Sequence, residues 1–250
     1  MKNQFFADKR DYFKYDLWLE VAEKLKEKGI ERLTLVPMLT PDDSTKEGRK
    51  VTYPEGKRRK RLYGFLQFCL APGRRSTTRL REFLCDERIE YHLYRDEDDK
   101  GFQDGSWDAY FSAVPREWLG DAAILIDPDT GLEPRTPFWK KHPEKHVTHE
   151  NIANVVSRCS GNSAVLLFQF LQKNANRRED DLNERGQRLH KRLCSVQSYR
   201  GSVRWIAEKT RNGLGELAFF TIGVGSEVSK RLDSALRKYA KTHGLKCGPS

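Results

Sequence analysis

The stretch DAAILIDPDTGLEP, residues 121–134, carries an apolar run directly into two carboxylates that flank a proline. A short apolar run that ends in turn residues is typical of a buried strand. Ligands of a doubly wound sheet bind outside the carboxyl ends of its strands, so Asp127, Asp129 and Glu133 are candidate site residues. A plain turn is the competing interpretation, because Pro favours an early turn position and Gly131 accepts a positive φ.

Helix and strand patterns alternate on both sides of this stretch. Apolar residues at helical spacing predict a helix over 11–28, and a strand follows over 32–39. Further strands are predicted over 62–70, 89–95, 163–171, 202–209 and 216–223. Further helices are predicted from 76–78 to 87, over 107–119 with a break at Pro115, and over 148–159, 179–194 and 227–243. Such alternation predicts an α/β fold with a doubly wound, mostly parallel, Rossmann-like sheet.

The last two strands predict a different pairing. Residues 202–209 and 216–223 are joined by TRNGLG, which is too short for a parallel crossover. We therefore expect the sheet to end in an antiparallel hairpin with a turn at Asn212-Gly213. The whole chain, 1–250, is predicted to form one α/β domain, with a basic loop or insertion around 40–61 and a second loop around 96–106.

Composition limits the class of protein. Hydrophobic residues make up 37% of the chain and charged residues 33%, and no run approaches the roughly 18 apolar residues that a membrane span needs. The first residues lack the apolar core of a signal peptide. We therefore expect a cytoplasmic protein without a membrane partner. The five cysteines are odd in number, widely spaced and free of CxxC pairs, which argues against a disulfide framework and a zinc site.

Basic residues form two clusters in a chain of net charge +10. Lysine and arginine clusters suit nucleic-acid phosphates, because each neutralised phosphate releases counterions. A solvated basic face is the alternative for either cluster alone. Because two clusters flank one apolar segment, they favour a nucleic-acid partner. The candidate phosphate-binding residues are Lys57, Arg58, Arg59, Lys60, Arg61, Arg74 and Arg75.

Two segments of the chain resemble known proteins. Residues 5–25, FFADKRDYFKYDLWLEVAEKL, crowd Asp8, Asp11 and Lys14 before an apolar helix face, and residues 123–133 read AILIDPDTGLE. Together they resemble a bacterial family with an Asp-x-x-Lys-Tyr start and an Asp-Pro-Asp-x-Gly segment. More remotely, the order of elements is similar to class I S-adenosylmethionine-dependent methyltransferases, in particular the ribosomal RNA adenine-N6 methyltransferases of the J type. Those enzymes carry Asp-Pro-Pro-Tyr after the fourth strand.

The resemblance implies methyl transfer to the amine of a nucleic-acid base. In that class the aspartate and the first proline carbonyl accept hydrogen bonds from the exocyclic amine of a flipped-out base, on which the aromatic residue stacks. Asp127 and Pro128 match these positions, while Asp129 replaces the second proline and Thr130 the aromatic residue. Phe138 or Trp139 is a candidate replacement for the missing ring.

The same resemblance implies a methyl donor and its contacts. S-adenosylmethionine is expected beside Asp8, Asp11, Thr40 and Asp42, with Lys14 as a further catalytic residue. Nucleotide cofactors usually lie on a glycine-rich turn after the first strand, because only glycine lets the backbone come so close. The corresponding residues here, 37–48, contain no glycine before Gly48.

That departure leaves two other hypotheses open. If the methyltransferase strand order holds, strand 32–39 and the strand AILID, 123–127, are neighbours, and Asp42 and Asp43 face Asp127, Asp129 and Glu133 across the crevice. Carboxylates in such a group suit Mg²⁺ or Mn²⁺, which serve nucleases and phosphohydrolases by activating water and holding phosphate. Lys14 would then stabilise the developing charge. The third hypothesis is a non-catalytic nucleic-acid or protein binder on the same scaffold.

The sequence gives weaker evidence that other polar residues near the crevice belong to the site. His142, His146 and His149, with Glu150, straddle a loop and a helix start and so do not share one helix face; we expect surface residues, with His146 nearest the pocket. Gln169 lies at the carboxyl end of the predicted strand 163–171, where it is either a polar contact in the crevice or an ordinary half-buried amide.

Overall fold

The structure is a computed structural model of the chain. It describes residues 2–40, 51–53, 55–56, 58–94, 107–135, 140–171, 177–211 and 213–249. The loop expected around 96–106 lies outside these ranges, as do residues 41–50 of the expected basic loop and Asn212 of the expected turn.

A mixed seven-stranded sheet forms the centre of the α/β fold. Its strand order is β2-β1-β3-β6-β8-β7-β9. The first four strands in this order pair in parallel, and the last three join by antiparallel pairing. The strands are β1 (Arg32–Pro37), β2 (Glu90–Leu93), β3 (Ala122–Asp127), β6 (Ala164–Phe170), β7 (Ser202–Thr210), β8 (Gly213–Gly223) and β9 (Lys246–Pro249); β4 (Gly131–Leu132) and β5 (His146–Val147) form a separate two-stranded sheet.

The apolar run of the opening stretch is a fully buried inner strand. β3 lies between β1, where Pro37 is level with Asp127, and β6, where Leu167 is level with Ile126. The first strand is therefore the neighbour of residues 123–127, which was the condition for Asp42 and Asp43 to face Asp127. Because both neighbours run parallel to β3, their carboxyl ends meet at the edge where Asp127 leaves the core.

Helices cover both faces of the sheet. One apolar cluster joins α1, α2, α3 and α7 to alternate strand residues such as Leu125, and a second joins α4, α5 and α6 to the intervening residues such as Ile124. Alternation of side chains along each strand explains this division. The helices are α1 (Lys9–Leu25), α2 (Lys60–Cys69), α3 (Leu80–Asp86), α4 (Trp107–Ser112), α5 (His149–Arg158), α6 (Arg178–Leu193) and α7 (Ser226–His243).

Capping residues explain where several helices begin. Thr148 forms a capping box with Asn151 at the start of α5, and the Asp8 side chain accepts hydrogen bonds from two backbone N–H groups at the start of α1. Ser76 caps the single 3-10 turn that leads into α3. The predictions for α1, α3, α5, α6 and α7 are confirmed to within a few residues.

Residues 62–70 are the main correction to the predicted elements. The predicted strand is wrong, because this segment belongs to helix α2. Its buried residues are Leu62, Leu66 and Cys69, spaced by four and three, whereas Phe68 is exposed. Spacing of this kind marks one face of a helix, and a half-buried strand would alternate with a period of two.

The antiparallel strands belong to the main sheet. β7 and β8 pair from Ser202 and Gly223 to Thr210 and Gly213, and β8 also pairs antiparallel with β6. The pair is therefore continuous with the parallel strands. The terminal strand β9, which the sequence prediction missed, adds to β7. Within the ranges given above, no helix is long and apolar enough to span a membrane.

Candidate functional site

A cavity of about 290 Å³ opens at the carboxyl end of β3. The start of α1, the residues after β3 and the end of β6 contribute its walls. We call it the β3 cavity. Its position is that expected for a ligand site in a doubly wound sheet. The lining residues are Lys2, Phe5, Asp8, Arg10, Asp11, Lys14, Asp127, Pro128, Asp129, Thr130, Lys145, Phe168 and Phe170.

A buried lysine joins two carboxylates at the floor of this cavity. Lys14 Nζ donates to Asp11 Oδ1 at 2.8 Å and to Asp127 Oδ2 at 2.7 Å. All three side chains are buried. Nζ also lies 4.7 Å from the centre of the Phe168 ring, within the range of a cation–π contact. We call these three charged residues the Lys14 cluster; it connects the first helix to the end of a central strand.

The start of α1 fixes the geometry of the cluster. Asp11 and Lys14 are three residues apart and therefore share a helix face. The second oxygen of Asp11, Oδ2, accepts a hydrogen bond from the backbone N–H of Ala7 at 2.8 Å. The first turn of a helix favours carboxylates because the helix dipole is positive there. The Asp-x-x-Lys sequence is thus a rigid element rather than a loose pair of charges.

Burial changes the acid–base properties of the groups around the cluster. Burial raises the pKa of Asp8 to about 6, and the nearby carboxylate of Asp11 adds to the shift. Burial disfavours the charge of Lys14, but Asp11 and Asp127 outweigh that effect and raise its pKa above the ordinary value. Burial also raises the pKa of Tyr15, with Asp11 and Asp127 contributing. Lys14 is therefore charged, and the carboxyl of Asp8 titrates near neutral pH.

One oxygen of Asp127 has no partner within the described ranges. Oδ2 is bound by Lys14, whereas the buried Oδ1 accepts no hydrogen bond. Burial raises the pKa of this carboxyl, and Lys14 opposes the shift. A buried acceptor that lacks a donor costs free energy, and such groups mark functional positions more often than ordinary ones. Oδ1 is the strongest candidate in the cavity for contact with a ligand donor.

The predicted base-binding and cofactor-binding residues are partly brought together. Asp8, Asp11, Pro128 and Asp129 all line the β3 cavity with Asp127. Thr40 is buried after β1 but does not line it. Asp42, Asp43, Phe138 and Trp139 lie outside the residues that the structure describes.

The residues of the metal hypothesis are not assembled in the described chain. Glu133 follows β4 and contacts the start of α5. Its Oε1 atom accepts a hydrogen bond from the His149 backbone N–H at 2.9 Å and lies 2.7 Å from the His149 ring Nδ1. Its expected place beside Asp127 is a misassignment, because the β4 segment carries it away from the β3 cavity. No group of three or more His, Cys, Asp or Glu side chains is arranged to hold a metal ion in the ranges covered by the structure.

Gln169 supports the cavity wall from behind. Its Oε1 accepts from the Leu132 backbone N–H at 2.9 Å, and its Nε2 donates to the Phe170 carbonyl at 2.8 Å. Gly131 adopts φ +129°, and a Cβ at that position would lie 2.6 Å from the Gln169 side chain. Gln169 is therefore a wholly buried structural residue rather than a crevice contact, and the Gly131 position accepts only glycine without movement.

The histidines differ from the sequence prediction. His142 is exposed as expected, but His149 is buried at the first position of α5. His146 pairs with Gly131 in the small sheet and does not line the β3 cavity. The sequence prediction of His149 as a surface residue is wrong, because the Glu133 carboxylate compensates its polar ring in the interior.

Aromatic residues around the cavity escaped the sequence analysis. Phe5, Phe168 and Phe170 line it, and the guanidinium of Arg10 lies 4.9 Å from the Phe170 ring centre. Phe168 and Phe170 alternate at the end of β6, which is parallel to β3. Period-two alternation at the end of a neighbouring strand is the signal that would have identified them.

The first basic cluster is largely occupied by neighbouring acids. Arg59 Nη2 binds Glu23 at 2.8 Å and Glu20 at 3.1 Å, and Arg58 packs 4.8 Å from the centre of the Phe13 ring. The remaining cations are more open: Lys60 is 86% exposed beside Glu55, and Arg61 binds Glu87 at 2.8 Å. Lys57 lies outside the described ranges.

The second cluster also makes internal contacts. Arg74 lies 3.9 Å from the centre of the exposed Phe68 ring, and Arg75 Nε donates to the Phe6 carbonyl at 2.8 Å. Since Phe6 directly precedes the α1 entry, Arg75 helps to hold the segment that carries Asp8. The most exposed of these cations are therefore Lys60 and Arg61, whereas Arg74 is half-buried against Phe68.

Comparisons with known proteins do not assign a family to the chain. No protein-family model matches it. No curated protein matches its sequence. Among solved structures, the crystal structure of protein LPL1258 from Legionella pneumophila strain Philadelphia 1, described under the family model DUF519, aligns with 98% of this chain and 97% of that chain, with a TM-score of 0.44 and 12% identity.

Proposed function

We propose that this chain is a class I methyltransferase-like enzyme that transfers a methyl group to an exocyclic amine of a nucleic-acid base. The observation that carries the proposal is the buried Oδ1 of Asp127, an acceptor without a donor at the edge of the β3 cavity. An amine donates hydrogen bonds, so it suits this oxygen. Pro128, the next residue, lines the same cavity and offers only a carbonyl acceptor.

The sheet supports a Rossmann-like, methyltransferase-like fold. β2, β1, β3 and β6 are parallel, and the chain then forms the antiparallel pair of β7 and β8 before α7. This is the sequence of elements that the resemblance implies. Fold alone is a weak argument for activity, so the proposal rests on the site.

Lys14 orients the carboxylate of Asp127. By holding Oδ2 at 2.7 Å, it fixes the carboxylate plane and leaves Oδ1 for the ligand. One amine N–H donates to Oδ1 and the other to the Pro128 carbonyl, so that the amine lone pair lies perpendicular to the ring plane. Phe5 and Phe170 are both half-buried at the cavity and supply faces on which a base stacks. These residues orient the nucleophile and exclude water from it.

The residues near α1 fit the proposed methyl donor in chemical type. Asp8 and Asp11 line the same cavity, and carboxylates accept hydrogen bonds from hydroxyl and ammonium groups. S-adenosylmethionine, when bound, supplies a methyl group activated by its sulfonium.

The metal-dependent hypothesis receives less support. Lys14 Nζ binds Asp127 at 2.7 Å and so already neutralises one of the carboxylates of that hypothesis. The alternative of a non-catalytic binder uses the same cavity and differs only in the absence of transfer. Lys60 and Arg61 remain proposed phosphate contacts for a nucleic-acid substrate, because both side chains are largely exposed. Arg74 is retained as a third contact because it stacks on the exposed Phe68 ring.

Binding of matched nucleosides tests the role of Asp127. Adenosine carries an exocyclic amine, and inosine carries an oxygen at the same position. We expect wild-type protein to bind adenosine more tightly than inosine. In Asp127→Asn the ratio of the two affinities should fall by roughly tenfold or more, because the side-chain amide would turn an N–H donor towards the amine of adenosine. Calorimetric titration measures both affinities. Asp86→Asn, at an exposed position of α3, removes the same charge as a control.

Two outcomes would redirect the proposal. Equal affinities for adenosine and inosine in the wild-type protein would mean that Asp127 does not recognise an amine. A melting shift with Mn²⁺ that Asp127→Asn abolishes, together with no shift from S-adenosylmethionine, would favour the metal-dependent hydrolase. A ligand at ~100 times its Kd stabilises by about 2.7 kcal/mol, which is visible in a melting curve.

A further inference from the structure

A second cleft, of about 530 Å³, lies between the start of α5 and the second half of α6. It is on the face of the sheet opposite α1, and none of its lining residues lines the β3 cavity. We call it the α5–α6 cleft. An inference about this cleft therefore does not require the proposed function of the β3 cavity.

A carboxylate–histidine pair forms one wall of the cleft. Burial opposes ionisation of Glu133, but hydrogen bonds from the His149 ring and backbone outweigh it and lower the pKa of Glu133. An ionised Glu133 makes ring Nδ1 the donor in the 2.7 Å contact. His149 is only 8% exposed, and its other ring nitrogen, Nε2, has no partner among residues with described positions. The pair thus orients one unpartnered nitrogen in a buried ring that lines the cleft.

Arginine and lysine residues of α6 form the opposite wall. Arg188 lines the cleft, and its buried Nη1 atom has no hydrogen-bond partner in the part of the chain covered by the structure. Lys191 is exposed one turn further along. Arg192 differs, because its Nε and Nη2 bind the two oxygens of Glu150 at 2.7 Å. The donors left for a ligand are therefore Arg188, Lys191 and His149.

We propose that the α5–α6 cleft binds a phosphate group. Arg188 offers a planar fork of N–H donors, and Lys191 offers a compact positive charge, both of which suit phosphate oxygens. Glu133 orients the His149 ring through Nδ1, so that Nε2 faces a third phosphate oxygen, with an N–H or a phosphate O–H between the two atoms. Burial of the unpartnered Nη1 and Nε2 atoms favours a ligand with several strong acceptors, because it supplies the hydrogen bonds that the protein leaves unmade.

Two types of ligand carry a phosphate group that fits this cleft: a nucleic-acid backbone and a small phosphorylated molecule. Full-length protein is titrated calorimetrically with inorganic phosphate and with a short single-stranded oligodeoxythymidine, at constant ionic strength. Thymine has no exocyclic amine, so the oligonucleotide does not depend on the amine contact proposed for Asp127. The test variant is Arg188→Gln combined with Lys191→Gln. The control is Lys238→Gln, which removes an exposed charge from α7 on the other face.

Loss of roughly tenfold or more in affinity is expected for the double variant and no change for the control. A loss for both ligands identifies a backbone-phosphate site, and a loss for inorganic phosphate alone identifies a site for a small phosphorylated molecule. Unchanged affinity for both ligands, or no binding of either by the wild-type protein, overturns the proposal. His149→Gln provides a second variant with the same expectation, and a melting curve checks that each variant is folded.

Discussion

Two groups of charged residues differ sharply in this molecule: the Lys14 cluster and the basic segment of residues 58–61. The segment contains four cations in succession, yet Arg58, Arg59 and Arg61 contact acids or rings at or near the surface. The Lys14 cluster contains a single cation, buried between two carboxylates. A run of charged residues in the sequence therefore did not identify the candidate site. Burial did, because a charge removed from water requires compensation at close range.

Substitution of Lys14 should have the largest effect on stability. Lys14→Met keeps a similar length but leaves Asp11 and Asp127 buried without their cation. We expect a loss of about 3–5 kcal/mol in the free energy of unfolding, measured by urea denaturation. Adding Asp127→Asn to the same chain should recover part of that loss, because it removes one of the uncompensated charges. A loss below about 1 kcal/mol for Lys14→Met would show that the cluster is no different from a surface ion pair.

Asp8 gives a pH-dependent test of burial in the same region. Its folded pKa, about 6, is above the ordinary value of 3.8, so its ionisation opposes folding. The contribution of the protonated Asp8 carboxyl to the free energy of unfolding is complete below about pH 4 and is lost as pH rises through about 6. Asp8→Asn keeps a good helix cap and removes the titration. Relative to wild type, the variant should gain up to about 3 kcal/mol of stability between pH 4 and pH 7.

Parallel denaturation curves at several pH values measure that difference. Other buried acids titrate in both proteins and largely cancel from it. A difference that is constant from pH 4 to pH 7 would mean that the carboxyl of Asp8 is as well solvated as an ordinary one.

Arg59 should show the smallest effect and complete the comparison. Arg59→Gln removes the ion pairs with Glu20 and Glu23, which are partly exposed to solvent. It also removes a longer contact of 3.9 Å with the buried Asp16, which keeps Arg58, the Arg59 backbone N–H and Tyr239 as partners. We expect a loss of about 1 kcal/mol or less, reduced further by added salt. Denaturation at low and high ionic strength measures both quantities. A loss as large as that of Lys14→Met would contradict the distinction between buried and exposed charge.

The sequence predicted β3 and most helices because their patterns are local. A strand with a continuous apolar run, such as 122–126, and a capped helix such as α5 carry their own signals. The prediction for residues 62–70 failed because LYGFLQFCL is apolar enough for a strand. Only the spacing of its buried residues, which the sequence does not show, identifies a helix. β9 failed because Lys246–Pro249 is short and has no apolar run.

The candidate site was predictable in part for similar reasons. Asp127 follows from the end of a buried strand, whereas Asp11 and Lys14 were identified through the resemblance of residues 5–25 to known proteins. Their mutual contact could not be predicted, because Lys14 and Asp127 are 113 residues apart in the chain. The position of Glu133 was misassigned because the small sheet of β4 and β5, two residues per strand, gives no sequence signal.

Transfer of a labelled methyl group tests the central claim most directly. Wild-type protein, Asp127→Asn and Asp86→Asn are each incubated with S-adenosylmethionine labelled in its methyl group and with mixed RNA and DNA, and the labelled nucleosides are identified by mass spectrometry. The account predicts label on an exocyclic base amine with the wild-type protein and Asp86→Asn, and at least about a hundredfold less with Asp127→Asn. Equal labelling by Asp127→Asn, or no labelled base amine with the wild-type protein, would contradict it.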